Sequence, residues 1–316
     1  MTTAPDPSPP TTEAGWFDGF TAGTHEVGGT TLFARTGGDP GGPPLLLLHG
    51  SPQTHVMWHR AARSLRERYS LVLPDLRGYG DSPPVPDTPD HGSYSKRTMA
   101  QDAVDLMAAL GHDRFAVVGH DRGGRVAHRL ALDHPDRVTA LCVIDIAPTL
   151  DMYEATDQAF ATAYYHWFHL IQPAPLPETM VGGALVPYLH ASLGGLGSGG
   201  LGYLEPAALA EYERCFTPAT VHAICEDYRA SAGIDLEHDR ESRGRAERIR
   251  CPVHVLWGAR GVVQRLFDPV ALWQGQAEQE VSGEVLPAGH FIPEELPGQT
   301  AEAVTRFLDG AAVATR

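Results

Sequence analysis

Positive charge, cysteine and long apolar runs are all scarce in this 316-residue chain, and each scarcity excludes something. Lysine and arginine together number 24 against 39 acidic residues, so the net charge is −15. An acidic surface repels nucleic acid and anionic membranes, and neither is expected as a partner. An anionic ligand would have to be held by positive charge concentrated locally. The four cysteines, Cys142, Cys215, Cys225 and Cys251, have neither metal-type spacing nor the density of a disulfide scaffold. Free thiols in a reducing cytoplasm are the reading they support. No apolar run approaches the length that spans a bilayer. Residues 1–15 are rich in proline and threonine and lack the basic and apolar regions of a secretory signal. They read as a disordered tail. No metal or cofactor is expected: His55 and His59 are spaced for one helix face, but no third ligand lies nearby.

The remaining residues support one large α/β core. Apolar runs at 45–49, 69–74 and 138–146 read as strands, with a further strand at 30–35 after the Gly28-Gly29 turn. Helical spacing at Trp58, Ala61, Ala62 and Leu65, and again over 98–110, alternates with them. This alternation implies a mostly parallel central sheet with helices on both faces. It stops at residue 149. Residues 149–245 are helical and loop-rich, with aromatic clusters such as Tyr164-Tyr165-His166-Trp167-Phe168, and 193–202 holds six glycines and reads as a mobile loop. Strand pattern resumes at 252–257 and 280–286, and a helix closes the chain over 296–308. The expected organisation is a core of 16–148 and 246–316, with 149–245 inserted as a helical cap over the carboxyl edge of the sheet.

The stretch 115–132 organises the rest. A short apolar run, Phe115 to Val118, enters Gly119-His120-Asp121-Arg122-Gly123 and leaves through a helical pattern. Strand, tight Gly-x-Nu-x-Gly turn and helix form the nucleophile elbow of the α/β-hydrolase fold. The central residue is Asp121 instead of serine. A carboxylate attacks carbonyls poorly, but it displaces a leaving group from saturated carbon to form an ester that water must open. A second Gly-x-Asp-x-Gly at 37–41 is followed by Gly42-Pro43-Pro44 and reads as a turn. The plainer reading of Asp121 is a helix N-cap.

Partners for a nucleophile are present in the right order. Leu286-Pro287-Ala288-Gly289-His290-Phe291 follows the last strand and supplies His290 as base. That histidine needs a carboxylate to orient it. The turn after the strand that follows the cap, residues 257–263, contains no acid, which leaves Asp145, at the end of the strand after the elbow helix. Backbone donors for an oxyanion are expected from Arg122 and from Ser51 in the His49-Gly50-Ser51 turn. Arg122 and Arg125 lie three apart and share a helix face just past the elbow. Two guanidiniums there suit a substrate carboxylate and help keep Asp121 ionised. A neutral haloalkane would leave both unpaired, so a small 2-substituted carboxylate is the expected substrate, with water as the second.

With these residues identified, the chain resembles the fluoroacetate (haloacetate) dehalogenases, a branch of the α/β-hydrolases. The resemblance covers residues 20–312. It rests on Gly119-His120-Asp121-Arg122-Gly123-Gly124-Arg125, Asp145-Ile146-Ala147-Pro148-Thr149 and Gln172-Pro173-Ala174-Pro175-Leu176-Pro177-Glu178. A further stretch, Asp75-Leu76-Arg77-Gly78-Tyr79-Gly80-Asp81-Ser82, is shared with epoxide hydrolases. The resemblance implies Asp121 as nucleophile, His290 as base, Asp145 as its partner, and Arg122 with Arg125 as carboxylate clamp. It also implies that His166, Trp167 and Tyr228 bind the leaving halide, and that the chain forms a homodimer. Without it, His166 and Trp167 would read as cap packing. The family often carries an aromatic residue where this chain has Ser51, so a larger and wetter pocket wall is expected there. Two alternatives remain: a soluble epoxide hydrolase using the same aspartate with tyrosines such as Tyr164, Tyr165 and Tyr228 as acids, and a ligand-binding relic without turnover.

Overall fold

The computed structural model describes residues 15–314, with the side chains of 313 and 314 left aside. The expected tail falls almost wholly outside these residues. Eight strands form one sheet: β1 (Thr21–Val27), β2 (Thr30–Gly38), β3 (Pro44–Leu48), β4 (Ser70–Pro74), β5 (Phe115–His120), β6 (Val138–Ile144), β7 (Val253–Gly258) and β8 (Ser282–Leu286). Their order is β1-β2-β4-β3-β5-β6-β7-β8. The pairs β1–β2 and β2–β4 are antiparallel, and every other pair is parallel. This is the α/β-hydrolase fold.

Sequence dictates the middle of this sheet. Leu45 to Leu48, Phe115 to Val118 and Leu141 to Ile144 are buried without alternation, as strands covered on both faces must be. The two edge strands are polar. In β1, Thr-Ala-Gly-Thr-His-Glu-Val leaves only Val27 fully buried, and β8 buries only Leu286. That polarity is why β1 carries no apolar signal in the sequence, although it pairs along its whole length with β2.

Between β6 and β7 lie eight helices, from Thr149–Glu154 to Ile234–Gly244. Leu193–Gly202 is docked. Leu196, Gly197, Gly199 and Gly200 have positive φ. Ser198 Oγ donates to Glu295 Oε1 at 2.7 Å, Arg260 Nε donates to Gly197 O at 3.2 Å, and Leu196 faces the main cavity. The glycines serve close approach and left-handed backbone as much as freedom. Among the described residues, no helix is long and apolar enough to cross a membrane.

The topology explains how residues far apart in sequence meet. The carboxyl ends of β3, β5, β6, β7 and β8, five consecutive strands of the sheet, all open on one edge beneath the inserted helices.

Candidate active site

At the end of β5 the chain turns directly into the helix Asp121–Asp133, and Asp121 takes φ 45°. Left-handed backbone is strained for a non-glycine residue, by about 1–3 kcal/mol, and aspartate tolerates it better than most. Surrounding glycines make the bend possible. A Cβ on Gly124 would stand 2.7 Å from Ile146 Cδ1, and one on Gly50 would stand 2.7 Å from Asp121 Cβ and 2.8 Å from His120 Nδ1. The β3 turn therefore presses against the elbow, and Ser51 N–H donates to Asp121 Oδ2 at 3.1 Å. His49, neighbouring this turn, is locked by donating Nδ1–H to Gly50 O and accepting at Nε2 from Leu76 N–H, both at 2.9 Å.

Asp145 also adopts positive φ, 52°, at the end of β6. Its Oδ2 accepts from His290 Nδ1 at 2.6 Å, and its Oδ1 accepts from Gly258 N–H at 3.0 Å. A Cβ on Gly261 would meet that Oδ1 at 3.0 Å. The acid thus fills the turn after β7 that carries none of its own. His290 returns from the sheet's edge on a braced loop: Arg260 N–H donates to Ala288 O, and His120 Nε2–H donates to His290 O, each at 2.9 Å. With Nδ1 donating to Asp145, Nε2 of His290 is left for the cavity.

Electrostatics follow from burial opposed by pairing. Burial disfavours ionised Asp121, but the charges of His290, Arg122 and Arg125 outweigh it and hold the carboxyl below its ordinary value. Burial likewise disfavours charged His290; the hydrogen bond and charge of Asp145, with Asp121 behind them, raise it above its ordinary value. For His166 and His120 burial outweighs the nearby charge of Asp121 and pushes them down to about 4 and about 3. Both are neutral at pH 7.

The two arginines are wholly buried and largely engaged. Arg122 Nε donates to Asp227 Oδ2 at 3.2 Å, and its Nη2 reaches Asp227 O at 2.9 Å as well as Asp227 Oδ1 and Ser231 Oγ. Its guanidinium lies over the Tyr228 ring at 4.2 Å. Arg125 Nη1 donates to Thr149 Oγ1 at 2.9 Å and Ala147 O at 3.2 Å, and its guanidinium lies over Trp167 at 4.7 Å. What remains is one unpartnered buried donor on each: Nη1 of Arg122 and Nε of Arg125.

The helix Pro218–Ala232 contributes a residue absent from the sequence reading. Asp227 is fully buried and accepts from Arg122, from Tyr79 OH at 2.8 Å and from Nζ of Lys96, the chain's single lysine. Lys96 in turn meets Asp235 at 3.8 Å. Charge opposes burial here too, and Arg122 and Lys96 hold the Asp227 carboxyl far below the usual range. The available signal was an acid next to Tyr228 in a helix that is buried continuously from Ala223 to Ser231.

A cavity of about 140 Å³ opens over Asp121 and His290. Ser51, Tyr164, His166 and Tyr228 are among its polar lining, and Leu170, Val181, Phe216, Val221 and Ile224 among its apolar lining. Trp167, Arg122 and Arg125 are not part of that lining, and Trp167 packs on Tyr153, Phe160 and Tyr164. His55 and His59 are tied elsewhere, to Asp75 and to Val56 O. Asp87, His222 and Glu226 come within metal-ligand reach of one another away from the cavity. His222 is held by Asp87 and Glu178, and Glu226 by His91 and Arg229, as an ion-pair network between loop and insertion.

Comparison with known proteins agrees with this architecture. A family model described as the α/β hydrolase fold matches residues 43–197. The chain is 43% identical over 297 residues to a fluoroacetate dehalogenase from Burkholderia sp., covering 93% of this chain and 96% of that protein. It is 32% identical over 273 residues to a soluble epoxide hydrolase from Corynebacterium sp. strain C12, covering 84% and 90%. A solved structure from Nostoc sp. PCC 7120, described as an α/β hydrolase, superposes with a TM-score of 0.89 at 52% identity, covering 92% of this chain and 99% of that one.

Proposed function

The chain belongs to the fluoroacetate dehalogenase family of the α/β-hydrolases, and from that premise we propose that it hydrolyses haloacetates, fluoroacetate and chloroacetate, to glycolate and halide. Asp121 attacks C2 with its free oxygen Oδ1, and the C–X bond breaks behind it. Inversion at saturated carbon leaves a glycolyl ester on Asp121. As charge develops on the halide, N–H and O–H donors from His166, Trp167 and Tyr228 stabilise it. Fluoride is small and strongly basic and needs several such donors. His290 Nε2 then takes a proton from water, which attacks the ester carbonyl while Ser51 N–H supports the oxyanion. Asp145 keeps the imidazole in the required tautomer and balances the imidazolium.

One observation carries the choice of a charged substrate: the two buried donors left over on Arg122 and Arg125 beside an ionised carboxylate. A substrate carboxylate supplies their missing acceptors. A neutral substrate leaves them unsatisfied, at a cost of about 1–3 kcal/mol each. The clamp uses one nitrogen from each arginine, because Asp227 and Ser231 occupy the others of Arg122, and Ala147, Thr149 and the Met152 sulfur occupy those of Arg125. Relatives named as epoxide hydrolases make opening of a neutral epoxide the second reading. The same orphaned donors weigh against it.

The test is fluoride release from fluoroacetate, read with a fluoride electrode, with chloroacetate and neutral fluoroacetamide in parallel. Both acids are expected to turn over, and the amide to lag by about 10-fold or more. Absence of fluoride release from fluoroacetate would sink this assignment.

A further inference from the structure

Tyr164 and Tyr228 both line the cavity with Asp121 and His290. Their rings flank His166, with centroids 5.6 and 5.8 Å from it. Neither hydroxyl has a hydrogen-bond partner among the described residues. Burial, and neighbouring carboxylates after it, raise both phenols above their ordinary value, so both carry a proton at neutral pH.

A departing halide needs hydrogen-bond donors, but it takes no proton. An alkoxide must be protonated as it leaves. Dehalogenation uses Tyr228 only as a hydrogen-bond donor; with Tyr164 beside it, the pair of protonated phenols near the nucleophile also matches what ring opening of an epoxide requires. The objection to an epoxide is its neutrality, which strands Arg122 Nη1 and Arg125 Nε. An epoxide carrying a carboxylate on the ring removes that objection. In oxirane-2-carboxylate, C2 bears the carboxylate and the leaving oxygen together, as C2 of a haloacetate bears the carboxylate and the halogen. The one added carbon, C3, needs space. The cavity of about 140 Å³ offers it, with Leu170, Val181 and Ile224 as an apolar wall.

We propose that this site also opens short 2,3-epoxy carboxylates to 2,3-dihydroxy acids, with Asp121 as nucleophile and Tyr164 and Tyr228 as acids. This rests on Asp121 and the arginine clamp acting as described for haloacetates. Asp121 Oδ1 bonds to C2 and the C2–O bond breaks. Its electron pair goes to the ring oxygen, which takes a phenolic proton and becomes the C3 hydroxyl. Water, deprotonated by His290, attacks the ester carbonyl. The C2 oxygen leaves with the proton held by His290, and the new carboxylic acid of Asp121 returns its proton to the phenolate. One water is consumed, and atoms and charge balance.

The experiment incubates the enzyme with oxirane-2-carboxylate and, separately, with its neutral amide. Expected is conversion of the acid to 2,3-dihydroxypropanoate with the entering oxygen at C2, and at least a 10-fold lower kcat/KM for the amide. Tyr164→Phe and Tyr228→Phe are each expected to slow the epoxy acid by about 10-fold or more. His290→Asn should trap an adduct on the Asp121 peptide that keeps every atom of the epoxy acid, whereas fluoroacetate adds without its fluorine. Fluoride release from fluoroacetate without any opening of the epoxy acid overturns this proposal and leaves the dehalogenase reading standing. Opening that survives both tyrosine changes, or oxygen entering at C3, overturns it too. Failure with both substrates overturns the reading beneath it.

Discussion

Asp227→Asn is the most revealing single change, because the structure fixes what it removes. The side chain keeps its shape and loses its charge. Arg122 and Lys96 then face one fewer anion in a fully buried cluster, with Asp235, 3.8 Å from Lys96, the remaining carboxylate. Breaking one side of a buried ion pair costs about 3–5 kcal/mol. Against a total stability of about 5–15 kcal/mol this is severe. At about 2–4 °C per kcal/mol for chains somewhat smaller than this one, the melting temperature should fall by about 6–20 °C. The sign with pH is set by the depressed carboxyl. Its contribution is whole above the unfolded value of about 3.9 and is lost as pH falls through the lower folded value, so the deficit is fully visible at pH 7. Loss of the fork that aims Arg122 removes a charge-assisted hydrogen-bond set worth about 1.5–3 kcal/mol, and KM for haloacetate should rise about 10- to 100-fold. Thermal unfolding and steady-state kinetics read both effects. In Lys96→Met/Asp227→Asn the charges balance again, so part of the melting temperature should return while KM stays high. A single variant that melts within about 2 °C of the parent, with an unchanged KM, refutes the reasoning.

Other consequences are testable in the same assays. Gly50→Ala puts a Cβ 2.7 Å from that of Asp121; a shift of the nucleophile by even a fraction of an ångström should lower kcat by about 100-fold, and parent-like turnover would show the contact is not tight. Arg125→Leu removes one clamp donor and should abolish haloacid turnover, with the folded state checked by circular dichroism; a retained rate makes that arginine structural. Water activation needs neutral His290, whose value is raised, while Asp121 stays ionised. The acid limb of kcat should therefore lie above pH 6.5, and a profile flat down to pH 5 contradicts the assigned base.

The fold was legible wherever burial writes itself into consecutive residues. Leu45 to Leu48 and Phe115 to Val118 announce central strands, and Gly119 to Gly123 announces the bend between strand and helix. β1 was not legible, because an edge strand with one face in water needs no apolar run. For Asp145 the clue was an acid missing from 257–263. The sheet order supplies the reason, since β6 lies beside β7 and the residue that follows it, Asp145, reaches the Gly258 amide. Spacing also put Arg122 and Arg125 on one helix face, but it could not say which nitrogens stay free. That depends on Asp227 and Thr149, brought in by segments that no local pattern ties to the elbow. The six glycines of 193–202 read as looseness, yet their backbone packs against Arg260 and the turn before His290.

Asp121 as the atom-transferring nucleophile is tested most directly by heavy-oxygen water. With enzyme in excess over fluoroacetate, the first turnover should give unlabelled glycolate, its new oxygen drawn from Asp121. After many turnovers, the peptide containing Asp121 should be heavier. Labelled glycolate from the first turnover, with no label ever entering that peptide, would contradict the covalent route.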